Sequence, residues 1–195
     1  YQHLVGRVLE LYGVNGLYEG DVFVCNHPYE GGLPHVSDMA FIAPIFAEKE
    51  LVGFSGSIAH KADIGGTNPG STSATATEIF QEGLLLPPVR IQEEGVYKND
   101  LERLILANSR QPELVRGDMR AQIAATLIGV DRVGELCSRF GVPAVVGAFA
   151  GILAGAEAEL RAAISQLPDG KASAEGLMDG DGVETDRPVR FSVII

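Results

Sequence analysis

Four histidines occur in the chain, and three of them fall between residues 20 and 70. Two stand in short segments of the same form, His-x-x-Asp: His35 with Asp38, and His60 with Asp63. Imidazole nitrogen and carboxylate oxygen are ligands that Zn²⁺, Mn²⁺ and Fe²⁺ accept. A histidine and an aspartate three apart reach one cation when the chain turns between them. Glycine pairs, Gly31-Gly32 and Gly65-Gly66, accompany the two segments and let backbone come close. The pattern predicts a divalent-metal site built from two loops. The competing reading is a pair of turn-capping aspartates beside unconnected histidines, and spacing by itself leaves both standing.

The elements around these residues must bring them together. Asp21 to Cys25 is a short apolar run that reads as a buried strand, delivering Asn26 and His27 to the first loop. Residues 39–46 and 51–58 read as two more strands, with the polar residues 47–50 as a hairpin loop. That hairpin would leave from beside Asp38 and return to His60, so the two segments meet although they are far apart in sequence.

The remaining segments are read in turn. Residues 3–12 have the apolar spacing of an amphipathic helix. Residues 65–72 approach a phosphate-binding loop, but Ser71 stands where the lysine is needed, so no ATP is expected there; their backbone N–H groups could still receive an anion. Glu78, Gln81 and Glu82 follow as a polar face. Residues 84–91 contain Pro87-Pro88 and read as an edge or extended segment. Asn99 or Asp100 can cap a helix from Leu101, and Pro112 opens a second that Gly141 stops. Asp118 and Gln122 share one face of it. Residues 140–156 carry no charge, yet Glu157, Glu159 and Arg161 continue the same pattern, so one soluble helix from Pro143 to about Gln166 is preferred to a membrane span. The acidic residues Asp179, Asp181, Glu184 and Asp186 lack the ligand order of a calcium loop and read as a solvated turn before a last strand, residues 189–195.

Composition removes some classes. The chain has 195 residues, is 46% hydrophobic and has a formal net charge of -11. Such a charge opposes binding to nucleic acid or to anionic lipid. Two cysteines, Cys25 and Cys137, are no disulfide framework and suit a reducing cytoplasm.

An ordered series of short motifs then carries a family resemblance. Asn26-x-Pro28-Tyr29-x-Gly31-Gly32, His35-x-x-Asp38, Ala59-His60-x-x-Asp63-Ile64-Gly65-Gly66, Pro69-Gly70 and Glu78-Ile79-x-Gln81-Glu82-Gly83 come first. Ala107-Asn108-x-Arg110-x-Pro112, Gly117-Asp118-x-x-Ala121-Gln122 and Leu167-Pro168-Asp169-Gly170 follow. In this order they resemble the hydantoinase B/oxoprolinase B family, over nearly the whole chain. The resemblance implies a metal (Zn or Mn, with Fe also admissible) held by His35, Asp38 and His60. It implies that Asp63 or His27 orients a ligand or moves a proton, and that Glu78, Asn108, Arg110, Asp118 and Gln122 line the substrate side. The family usually has Asp where this chain has His27.

The activity so implied is opening of a cyclic amide: hydantoin, 5-oxoproline or a lactam. An ATP-using hydantoinase A-type partner activates the carbonyl, and the metal lowers the pKa of the attacking water. The chain would then work in the cytoplasm inside a hetero-oligomer on a small-molecule substrate. The alternatives are a subunit of an acetone- or acetophenone-type carboxylase, and a non-catalytic module in which the metal staples two loops. The expected fold class is α+β. A β-rich region with the metal-site hairpin (1–98) precedes long antiparallel helices (99–167) and the start of a further β region (168–195). Members of the family are longer at both ends, so a fragment or truncated relative is expected, with its last strand unpaired.

Overall fold

Strand β1 (Val22–Cys25) is buried along its whole length, and the sheet grows outward from it. In the computed structural model, which describes residues 1–184 and 186–195, five strands form one antiparallel sheet in the order β3-β2-β1-β4-β5. The other four are β2 (Asp38–Ala47), β3 (Glu50–His60), β4 (Val89–Glu93) and β5 (Val96–Tyr97). Thr185, in the acidic turn before the last strand, lies outside the described residues.

Side chains alternate across the pleat, so each face of the sheet must be covered by something apolar. Val22 and Val24, with Met39, Phe41, Ala43 and Ile91, point to one face. There they meet Ile105 and Leu106 of α3 (Asn99–Ala107) and Val115, Met119 and Ile123 of α4 (Pro112–Phe140). Phe23, Cys25, Ala40 and Ile42 point to the other face, against Leu4 and Val8 of α1 (Gln2–Tyr12). Each such fully buried large side chain contributes about 1.5–3 kcal/mol. Helix α4 lies close against β3 at Gly129, where a Cβ would collide with the Ser55 hydroxyl.

The expected hairpin is present. Strands β2 and β3 pair from Ala47 with Glu50 at the turn to Asp38 with His60 at the mouth. Glu48 and Lys49 take positive φ, 53° and 69°, the sign pattern of a type I′ turn. Helix α4 also has the expected bounds. Segment 84–91 is corrected: β4 is an interior strand between β1 and β5, because it begins at Val89, just past the two prolines that were expected to keep it at the edge.

Helix α4 is followed directly by α5 (Val142–Ile164), which is long and apolar enough to cross a membrane by length and composition. Its buried residues are Val142 and Val145, set against Cys137 of α4. A second sheet closes the chain: β6 (Ser173–Met178) pairs antiparallel with β7 (Val189–Ile194). The expectation of an unpaired last strand is thereby corrected, since β7 is one arm of a local hairpin. The architecture is α+β, with a five-stranded antiparallel sheet, long helices and a further small sheet.

Candidate metal centre and its supports

His35, Asp38 and His60 converge. Their ligand atoms lie within 4.8 Å of one another, and among the described residues they are the only group of three or more His, Cys, Asp or Glu side chains so placed. Two elements make this happen. A turn in which the Asp38 N–H donates to the His35 carbonyl (3.2 Å) puts His35 over Asp38. Cross-strand pairing puts His60 directly opposite Asp38. Both imidazoles contact the same carboxylate oxygen: His35 Nε2 at 3.1 Å and His60 Nδ1 at 3.3 Å from Asp38 Oδ1, with ring centroids 5.1 Å apart. The carboxylate is 17% exposed while the imidazoles are 44% and 54% exposed, so the group opens to one side. Two nitrogens and one oxygen on a half-open rim fit Zn²⁺, Mn²⁺ or Fe²⁺, and leave coordination positions for water or a substrate atom.

Behind this rim lies Lys61, which the sequence reading passed over. It is fully buried. Its ammonium donates to the Ala59 carbonyl (3.3 Å) and to Gln122 Oε1, and the Gln122 amide N–H₂ in turn donates to the Met39 carbonyl at 3.0 Å. Burial pulls Lys61 down to about 8, while the nearby Asp118 and Asp38 charges oppose that fall. Gln122, expected to face substrate, therefore ties α4 to both hairpin strands from inside the protein. Asp118 lies within electrostatic reach of the same lysine.

Asp63, the other aspartate, is placed apart from the three ligands and is saturated. Its Oδ1 accepts the N–H groups of Gly65 (3.0 Å) and Arg110 (2.9 Å), and its Oδ2 accepts the Gly70 N–H (2.9 Å) and the Arg110 guanidinium (3.0 Å). Burial alone would raise its pKa, but the backbone hydrogen bonds from Arg110, Gly70 and Gly65 and the Arg110 guanidinium outweigh that and bring it to about 2. A carboxylate with four donors and this acidity is a poor proton acceptor near neutral pH.

Arg110 continues the same job, donating to the carbonyls of Gly65 (3.2 Å), Asn68 (3.2 Å) and Gly66 (2.6 Å). Gly65 and Gly66 both take positive φ, and a Cβ on either would run into backbone carbonyl oxygens of Asn108 or Gln81. Four N–H groups of loop 65–72 are taken up inside the protein. The amides of Gly65 and Gly70 go to Asp63, Thr67 donates to Gln81 and Ser71 to Asn68.

The other expected site residues are placed as follows. His27 caps the short helix α2 (Pro28–Gly31), its Nδ1 accepting the Glu30 N–H at 3.3 Å. Asn108 ends α3 and donates to the Leu104 carbonyl (2.9 Å). Glu78 caps the 3-10 turn Ile79–Glu82 and lines a cleft of about 330 Å³ that also reaches His35. The structure therefore brings Glu78 toward the three ligands, sets Gln122 and Asp118 behind them, and places Asp63, Asn108 and Arg110 together on the second loop.

Comparison with known proteins agrees in fold and sequence. The family model described as hydantoinase B/oxoprolinase matches residues 1–195. A candidate B-type subunit of a D-/L-hydantoinase, from Pseudomonas sp. strain NS671, is 38% identical over 88% of this chain and 29% of that protein. The acetophenone carboxylase delta subunit of Aromatoleum aromaticum is 32% identical over 93% of this chain and 26% of that protein. The crystal structure of the ATP-dependent caprolactamase from Pseudomonas jessenii superposes with a TM-score of 0.83 at 32% identity, over 90% of this chain and 30% of that one. The chain spans less than a third of the length of these relatives.

Proposed function

The chain belongs to the hydantoinase B/oxoprolinase family, and from that membership we propose that it is the metal-site portion of a metal-dependent subunit of an ATP-dependent cyclic-amide hydrolase. Its relatives are named as hydantoinase, caprolactamase and carboxylase proteins, two of them as subunits, so a partner subunit is implied. The observation that carries the reading is the convergence of His35, Asp38 and His60 with one side open. A staple would be expected to close its coordination sphere with a fourth protein ligand. Here the nearest sequence candidate, His27, is engaged in capping α2.

A divalent ion held by these three side chains supplies Lewis acidity and brings the pKa of water toward neutrality. The chain's own residues supply position. Hairpin pairing holds Asp38 against His60, and the Lys61–Gln122 contact fixes the mouth of that hairpin to α4. Glu78 borders the approach beside His35. A ring amide is a poor electrophile, and phosphorylation of its oxygen by an ATP-using partner would activate the carbon: water adds there, the C–N bond breaks as the ring nitrogen takes a proton, and a second water cleaves the resulting acyl phosphate to carboxylate and phosphate. ATP stays with the partner in this scheme, because loop 65–72 lacks the lysine that a phosphate-binding loop needs.

The test has two parts. Purified protein should hold about one divalent ion per chain after dialysis, and His35→Ala or Asp38→Ala should lose it. Stoichiometric metal in both variants would overturn the ligand set. With an ATP-using partner, His60→Ala should block ring opening while phosphoryl transfer continues, the two being followed separately. The 32% identity to a carboxylase subunit favours a second reading, ketone carboxylation at the same centre. Bicarbonate-dependent product from a ketone, with no ring opening, would select it.

A further inference from the structure

A metal-binding histidine usually bonds its second ring nitrogen to a carbonyl or a carboxylate, which fixes the ring. His35 and His60 do not. Among the described residues the polar partner of either imidazole is Asp38 Oδ1 alone, the atom that both of them touch. The aim of these ligands therefore comes from the backbone that carries them.

That backbone is gripped from behind. Asp38 stands between Ser37 and Met39, and His60 between Ala59 and Lys61. The Ser37 carbonyl accepts the Lys61 N–H at 2.8 Å. The Ala59 carbonyl accepts the Lys61 ammonium at 3.3 Å, and the Met39 carbonyl accepts the Gln122 amide at 3.0 Å. The ammonium also donates to Gln122 Oε1, which joins the grip on β3 to the grip on β2. This bridge works in one sense only. An ammonium has no acceptor, so it takes the oxygen end of the Gln122 amide and leaves the N–H₂ end for Met39.

Lys61 is fully buried and Gln122 nearly so, yet among the described residues no carboxylate is in contact with the ammonium. Both of its acceptors are neutral. A buried ammonium in such surroundings costs stability, and an apolar side chain of similar length fills the same space more cheaply. The needs of the fold alone do not account for a lysine here.

Resting on the metal-centre reading above, we infer that Lys61 is the positioning residue of that centre: its ammonium locks Gln122 and the ends of β2 and β3, so that His60 and Asp38 stand together before a metal arrives. It acts through the backbone on either side of the ligands and touches neither the metal nor the substrate. The fold gives up stability at this position and gains a preformed site.

Three variants of the full chain test this: Lys61→Met, Gln122→Leu and the two combined. Zn²⁺ affinity is measured by competition with a chelator and stability by the urea midpoint. The metal-free site is followed by NMR cross-relaxation between the ring protons of His35 and His60, whose centroids lie 5.1 Å apart. Lys61→Met should weaken Zn²⁺ binding by about tenfold or more, and should weaken the contact between the rings. Gln122→Leu should lower the urea midpoint, because it strands the ammonium. Adding Lys61→Met should bring the midpoint back toward wild type while the affinity stays low. If Lys61→Met alone does not fold, the double variant carries the same readouts. Affinity that recovers together with the midpoint would make the bridge merely structural and overturn the inference. A wild type that binds no Zn²⁺, with a ring contact that Lys61→Met weakens, would sink the metal-centre reading and leave this inference standing. Zn²⁺ binding and ring contact that Lys61→Met leaves unchanged would do the reverse.

Discussion

The site segment, Asp38 to Ser71, and the C-terminal stretch, Val142 to Ile195, are built in opposite ways. In the first, buried polar groups find partners inside the protein: Asp63 has four donors, Ser71 both donates and accepts, and Lys61 meets Gln122. Across from it, Asn26 donates to the Val36 and Leu84 carbonyls and accepts the Leu86 N–H at 2.6 Å. In the second, α5 buries only Val142 and Val145, and β6 and β7 pair with each other. Phe149, Ile152, Leu153, Leu160, Leu177 and Ile194 are exposed there. The geometry of the ligands is therefore a property of the hairpin, the second loop and α4, held by bonds within them. The C-terminal stretch has helix and hairpin bonds but few side chains that need their neighbours.

Substitutions can break this contrast. The largest effect should come from Asp63→Ala, which leaves three part-buried backbone N–H groups without their acceptor and takes from Arg110 its carboxylate partner, leaving the guanidinium its three carbonyls. About 3–5 kcal/mol should be lost in urea unfolding, and a loss below 1 kcal/mol would mean that the loop does not depend on its anion. The pH profile sharpens the same point. Asp63 falls from the ordinary 3.8 to about 2 in the folded protein. Its contribution is thus full above the unfolded value and lost as pH falls through the folded one, amounting to about 2 kcal/mol. Asp63→Asn should flatten the stability profile between about pH 4 and 2 relative to wild type. Next in size, Gln122→Leu removes the acceptor of a buried ammonium and should cost about 1–3 kcal/mol, with Met119 at the neighbouring core position unchanged in packing. The smallest effect belongs to the other region. Leu153→Lys, at a side chain 73% exposed, should change stability by less than about 0.5 kcal/mol. A loss above 2 kcal/mol would show that α5 is as tightly engaged as the site.

The parts legible in the sequence were those governed by periodicity and punctuation. Helix α4 was bounded by Pro112 and Gly141, and the hairpin by the polar residues 47–50, because each signal is local. The meeting of His35, Asp38 and His60 follows from the hairpin together with the turn between His35 and Asp38. Other features depend on partners distant in the chain. Nothing near Lys61 announces that its side chain will be buried, since the acceptor comes from Gln122 on α4. Asp63 and Arg110 read as site residues because each falls in a motif of the family resemblance, Asp63 in Ala59-His60-x-x-Asp63-Ile64-Gly65-Gly66 and Arg110 in Ala107-Asn108-x-Arg110-x-Pro112. They meet across 47 residues to hold a loop, a role with the same motif signature. Helix α2 was missed because four residues show no period, and its cap, His27, is a residue type more readily read as a ligand. Strand β6, Ser173–Met178, has no apolar alternation against a core, and only its pairing with β7 defines it.

The hairpin also makes parity matter. Asp38 and His60 share a face because they sit directly opposite each other at the mouth of a two-stranded ladder, and side chains change face with every residue. One irregularity already interrupts the ladder between Ile45 and Phe46. A single residue added to either strand between that point and the mouth would send one ligand to the wrong side, unless a second irregularity took up the slip. Two added to each strand would keep both ligands on one face but carry them farther from α4. The distance from the turn to the His35–Asp38–His60 group is therefore quantised in steps of two residues, and a gradual change in hairpin length is closed to this site.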